Sequence, residues 1–207
     1  AHFVPCDEVF LLAEHFHLSC HKGQLPPGWN AIGSIQVSEV GACIEASSHD
    51  HEAPLGQVLV LQPRKEFAVL KHDLPRLPAK PSRLHLRVRF YDDGSNKACH
   101  WIAVVSRLGM GMVGVSPSQL SCYCTSNHSL DFSNPVAIQW QPTAVRRSVG
   151  WHLFELELQD SLNVSIDREP VKTLALQDLQ ECESLFLGAS AGTCAKWGDV
   201  ELLHTAE

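Results

Sequence analysis

At 207 residues, with 44% hydrophobic and 19% charged side chains, the chain is long enough to bury a full core and ordinary enough in composition to be globular. Its formal net charge of -7 argues against a nucleic-acid or anionic-membrane partner, either of which demands a basic face. No run approaches the ~18 apolar residues of a membrane span, so no transmembrane segment is expected. A single domain over residues 1–207 is the expected organisation, because all-β sandwiches reach roughly 200–250 residues as one unit.

Read in chain order, helical periodicity is nearly absent. Cys6–His17 fits either helix or strand, and Thr173–Glu183 is the best helix candidate. Gln57–Leu61 and Phe67–Lys71 read as a strand pair, turned at Pro63 and Lys65. In Arg83–Tyr91, Leu84, Leu86, Val88 and Phe90 alternate with His85, Arg87 and Arg89, the period-2 pattern of a half-buried strand. Asp92-Asp93-Gly94-Ser95-Asn96 then turns the chain, since Asp, Asn and Gly tolerate left-handed backbone. Trp101–Ser106 is a nearly continuous apolar strand, and the glycines within Met110–Val115 suit close approach of another backbone. The clearest block is Trp151–Val171, where two alternating strands and two short polar turns spell a meander. About ten strands with closely spaced turns and no interleaved helices predict an all-β, antiparallel sandwich of jelly-roll type.

Eight cysteines, Cys6, Cys20, Cys43, Cys99, Cys122, Cys124, Cys182 and Cys194, suit either disulfides in an oxidising compartment or buried free thiols. Two glycosylation sequons, at Asn127 and Asn163, point with the first alternative to an extracytoplasmic or secreted protein. Cys122 and Cys124 share one face if they lie on a strand.

The stretch Gly150–Asp167 resembles a recurring segment of concanavalin A-like lectins and glucanases and of laminin-G-like domains. There an aromatic-His pair opens a strand, a turn follows, and the next strand ends in an Asp-Gly hairpin. Here the pair is Trp151-His152, and the hairpin reads Asp167-Arg168-Glu169 without its glycine. Leu185–Gly188 and Trp197–Leu202 look like the closing strands of those domains, and Leu25–Trp29 is similar to the opening loop of many secreted members. The resemblance implies a concanavalin A-like fold for the whole chain. It speaks to function less directly, because one fold hosts many activities.

Several residue groups carry candidate chemistry. Glu155 and Glu157 project from one strand face at roughly 6.5–7 Å, near the spacing that retaining glycosidases use. The resemblance, however, sets them on a later, non-catalytic strand, which makes them a solvent face of acids opposite core leucines. Gly188-Ala-Ser190-Ala-Gly192, followed by Asp199 and His204, matches a serine-hydrolase elbow, but a glycine-rich turn between strands explains it more simply. His15, His17, Cys20 and His21, with His49 and His51, have spacings that a transition metal could use. Relatives hold calcium at the sandwich rim, and Asp92, Asp93 and Asp131 are the hard oxygen ligands on offer. Trp29, Trp140 and Trp151 stand near turns or strand ends, where exposed rings would stack on sugar, whereas Trp101 and Trp197 read as buried.

The expectation is therefore a non-catalytic binding or structural module that recognises carbohydrate or a protein partner. The alternative is a polysaccharide-active glycoside hydrolase or lyase of the same superfamily using paired carboxylates. Carboxylates facing one another across a sheet would favour the enzyme, and aromatic residues there would favour binding.

Overall fold

A computed structural model describes residues 8–14, 25, 28–32, 40–44, 57–61, 63, 67–75, 83–106, 109–128, 138–159, 161–174 and 182–205. These residues form strands joined by turns and loops, and none is helical. The strands are β1 Glu8–Glu14, β2 Trp29–Ile32, β3 Val40–Ile44, β4 Gln57–Leu61, β5 Ala68–Asp73, β6 Arg83–Asp92, β7 His100–Ser106 and β8 Met110–Ser116. They continue as β9 Gln119–His128, β10 Gln141–Arg146, β11 Gly150–Leu158, β12 Leu162–Ile166, β13 Glu169–Leu174, β14 Cys182–Ala189 and β15 Ala195–Thr205. One sheet runs β13-β12-β11-β6-β15-β4-β3, with β1 also on β15, and the other runs β10-β9-β8-β7-β14-β5-β2. The pairings are antiparallel throughout.

The alternation read in Arg83–Tyr91 and in Trp151–Ile166 sets these registers. Phe154 lies opposite Val88 and Ile166, and Leu156 opposite Leu86 and Val164. A one-residue slip would turn that whole apolar set to solvent. Between the sheets Phe90 stacks on Phe154 at 4.3 Å and on His100 at 4.2 Å, and Tyr123 meets Phe154 edge-on at 5.3 Å. Such ring pairs add to the area they bury. Leu59, Leu86, Leu202, Ile102, Val113 and Leu187 complete this core from both sheets.

β7 and β8 are buried on both faces, which explains their unbroken apolar sequence. Ile102 and Val104 join the core, whereas Trp101, Ala103 and Val105 form a second cluster with Val69, Met110, Met112 and Phe186 on the outer face of the seven-stranded sheet. Trp101 lies so close over Gly188 that a Cβ there would sit 2.1 Å from its Cζ2, and a Cβ on Gly114 would meet the His100 carbonyl at 2.3 Å. Both glycines are thus required by close approach. Gly188→Ala is expected to cost about 1–3 kcal/mol by overpacking and to shift tryptophan emission. Denaturant unfolding checks this, and a loss below about 0.5 kcal/mol would mean that Trp101 moves aside freely.

The structure corrects several expectations. β4 and β5 are not partners: β4 pairs with β15 and β3, and β5 with β14 and β2, so the intervening turn crosses from one sheet to the other. Thr173–Leu174 ends β13 and Cys182–Glu183 begins β14, so both ends of the expected helix are strand, and 175–181 lie outside the described residues. Within Cys6–His17, Glu8–Glu14 is strand. Among the described residues no disulfide forms, and Cys99, Cys122, Cys124, Cys182 and Cys194 are free thiols. Burial raises Cys124 to about 11 and Cys182 to about 12, which keeps both as unreactive thiols.

Candidate functional site

The two outer faces of the sandwich differ in kind. On the eight-stranded sheet, β6 presents its Arg and His side chains between the acids of β11 and β15. Arg83 Nη2 lies 2.6 Å from Glu157, and Arg89 Nε lies 3.1 Å from Asp199. Arg87 stands between Glu155 at 3.4 Å and Glu201 at 3.2 Å. Glu155 also meets His85 at 3.3 Å and accepts a hydrogen bond from Ser165 Oγ. The His85 contact, more than any other, holds its carboxyl below the usual range. Cross-strand pairs of this kind neutralise one another. The carboxylates of Glu155 and Glu157 are occupied, and Glu155 lacks the raised affinity for a proton that a general acid needs.

The outer face of the seven-stranded sheet is apolar. Its Trp101, Phe186, Met110 and Met112 cluster is itself buried, and Ile32, Phe67, Cys99, Ile138 and Trp140 pack against it while staying partly open. Of the three proposed stacking rings, only Trp140 keeps a partly accessible face, because Trp29 and Trp151 are each 4% exposed. Trp29 instead packs against His72, and Trp151 against Tyr91. Trp101 and Trp197 are buried.

Of the proposed calcium aspartates, Asp92 and Asp93 lie among the described residues. Asp92 is fully buried and grips Arg147 through two bonds, Nε–Oδ2 at 2.8 Å and Nη2–Oδ1 at 2.6 Å, while also accepting the Gly94 amide. Burial alone would raise its proton affinity, but Arg147 and the Gly94 amide outweigh that and hold it below the usual 3.8. A carboxylate so engaged has no oxygen free for a hard cation. Asp93 is exposed, and its Oδ1 accepts the Ser95 amide as a turn former. Asp131 and the histidine clusters His15, His17, His21, His49 and His51 lie outside the described residues. The Ser190 turn leads into strand β15, not a helix. Ser190 Oγ faces Thr193 Oγ1, and Asp199 is bound to Arg89, so no hydrolase elbow exists there.

Sequence reading missed a polar cluster at one end of the sandwich. His152 Nδ1 lies 2.7 Å from Asp167 Oδ2, and Nε2 lies 2.9 Å from the Ser148 carbonyl and 3.4 Å from Ser148 Oγ. The order serine, histidine, aspartate looks like a nucleophilic triad. It is not one in this state, because Nε2 donates to the Ser148 carbonyl and so has no lone pair for Oγ. The aromatic-His pair and the glycine-free Asp167 turn were the available signals for this cluster.

No family model matches the chain, and no curated protein matches it in sequence. Solved structures do match in shape. The carbohydrate esterase vb_24B_21 of the Shiga toxin-encoding bacteriophage phi24B superposes with a TM-score of 0.64 at 13% identity, over 97% of this chain and 100% of that one. A β-1,3-glucanase from Mycobacterium marinum gives 0.54 at 12% identity, over 96% and 99%. The Crh5 transglycosylase gives 0.53 at 11% identity, over 98% and 88%. The chain shares the two-sheet β-sandwich fold of these structures. At such identities the likeness is one of fold.

Proposed function

We propose that this chain is a polysaccharide-directed protein of the concanavalin A-like superfamily, with the outer face of the seven-stranded sheet as its ligand side. The observation that carries this reading is the two-sheet architecture it shares, across almost its full length, with structures named as a glucanase, a transglycosylase and a carbohydrate esterase. Those structures are named as enzymes, which favours action on a polysaccharide, or on groups it carries, over the passive module expected from sequence.

Two features support the choice of face. The outward charges of the eight-stranded sheet pair with one another, whereas the opposite side carries a partly open indole, Trp140, packed on a buried apolar cluster. An indole face stacks well on the C–H face of a sugar ring. The positions of this cluster on β7, β8 and β14 are apolar, so an acid pair would stand on flanking strands or loops, away from Glu155 and Glu157.

A glycan array run beside an activity screen on β-glucans tests the reading. The expected result is retention of an oligosaccharide that weakens about tenfold or more in Trp140→Ala, roughly 1.4 kcal/mol. Glu155→Gln and Glu157→Gln should change neither binding nor turnover. Release of reducing ends identifies an enzyme, and binding without release identifies a non-catalytic module. A chain that neither retains nor cleaves any polysaccharide would overturn the proposal.

A further inference from the structure

His152 is 7% exposed and sits between two acceptors. The Asp167 carboxylate can only accept, since its other oxygen already takes the Leu153 amide at 2.8 Å. The Ser148 carbonyl can only accept as well. A ring that donates from both nitrogens is an imidazolium. Its two partners belong to different parts of the chain: Ser148 lies in the turn between β10 and β11, and Asp167 opens the two-residue hairpin between β12 and β13.

We propose that His152 is a proton-operated clamp, which ties the β10–β11 turn to the β12–β13 hairpin as imidazolium and gives up its bond to the Ser148 carbonyl as neutral imidazole.

The side that is released follows from the chemistry. Neutral imidazole keeps a single N–H. A bond to a charged carboxylate is stronger than one to a neutral carbonyl, so Nδ1 retains its proton and holds Asp167. Nε2 is left with a lone pair that repels the Ser148 carbonyl oxygen, and its remaining donor is the Ser148 hydroxyl at the longer distance of 3.4 Å. That carbonyl then keeps the Tyr123 hydroxyl at 3.4 Å, while the turn itself stays anchored through Arg147 to Asp92. The hairpin stays closed, because Asp167 and Leu153 exchange further bonds through Asp167 N–H to the Leu153 carbonyl.

The other groups facing the ring are known. Tyr123 on β9 presents its ring edge-on at 5.4 Å, and the charge of Asp92 at the end of β6 acts on His152 while being bound by Arg147. Burial pulls the imidazolium down, but Asp167, the Ser148 carbonyl and Asp92 outweigh it and leave His152 above its usual 6.5. Asp167 is likewise held below 3.8, with His152 and the Leu153 amide overcoming its burial. The signs then fix a window. The histidine's contribution is complete below 6.5 and is lost as pH rises through its higher folded value, and the aspartate's is complete above 3.8 and is lost as pH falls through its lower one. The clamp is fully engaged between those limits.

Nitrogen-15 NMR of the wild-type chain between pH 5 and 9 tests this directly. The expected result is that the His152 ring titrates above 6.5, and that the amides of residues 147–150 move with the same midpoint while those of 166–169 hold still. As a second measurement, melting temperature should fall between pH 6 and 9 by about 3 °C more in the wild type than in His152→Gln. A ring that titrates at or below 6.5, turn amides that ignore it, or parallel melting profiles would each overturn the proposal. Should His152→Gln fail to fold, the wild-type titration decides alone.

Discussion

Arg147→Met is expected to destabilise the fold by about 3–5 kcal/mol, the usual consequence of leaving a buried charge without its partner. Asp92 is fully buried, and the Arg147 side chain is only 5% exposed. Taking that guanidinium away removes two bonds to the carboxylate and a third to the Ser95 carbonyl. The Gly94 amide cannot compensate a full negative charge by itself. The pair also pins the β6–β7 loop to the β10–β11 turn, so loop amides at Ser95 and Lys97 should exchange faster in the variant. The double variant Asp92→Leu, Arg147→Met is expected to cost less than the sum of the single changes, because no charge is then stranded. Denaturant unfolding of the four proteins measures this, and strict additivity would show that the two side chains do not depend on each other.

The second large effect concerns pH. His100 is buried against Phe90 and Trp197, and its Nε2–H donates to the Tyr91 carbonyl. Burial, opposed by the Tyr91 carbonyl and the charges of Asp92 and Asp93, lowers it from 6.5 to about 4. The folded protein therefore keeps this ring neutral where the unfolded chain would protonate it. The unfolded state binds more protons between those values, so stability drains away as pH falls from 6.5 toward 4. The full change is about 3 kcal/mol. His152 acts in the opposite sense, so the two must be separated by comparison: the wild type should lose about 3 kcal/mol more than His100→Gln between pH 7 and pH 4. Identical slopes for the two proteins would refute the assignment to His100.

What the sequence disclosed followed distance along the chain. Strand alternation is a local property, and the meander from Trp151 to Val171 was readable because its partners are neighbours. The environment of Asp92 was not, because it depends on Arg147, 55 positions later. From its neighbours alone, Asp92-Asp93-Gly94 reads as an exposed turn, and that reading holds for Asp93. Trp29 and Trp151 misled for a related reason: their places near turns say nothing of the rings they pack against. The hairpin at Asp167 shows the converse. Asp167 and Arg168 both adopt left-handed backbone, with φ of 52° and 68°, the geometry of a tight hairpin that usually calls for glycine or asparagine. The strain is offset by the bonds from His152 and the Leu153 amide, so the missing glycine marked a tertiary contact.

The order of strands in the sheets has a consequence for how the protein comes to be made. In one sheet β14 stands between β7 and β5, and in the other β15 stands between β6 and β4. These central strands are the last two in the chain among the described residues. A ribosome therefore releases the flanking halves of both sheets before either central strand exists, and their inner edges wait unpaired. The contact between Arg89 and Asp199 closes a separation of 110 positions, the kind of distant pairing that slows folding. Both sheets therefore complete their pairing only after the last of these strands has been made. During synthesis, the exposed edges of β5 and β7 are the surfaces most open to mispairing with another chain.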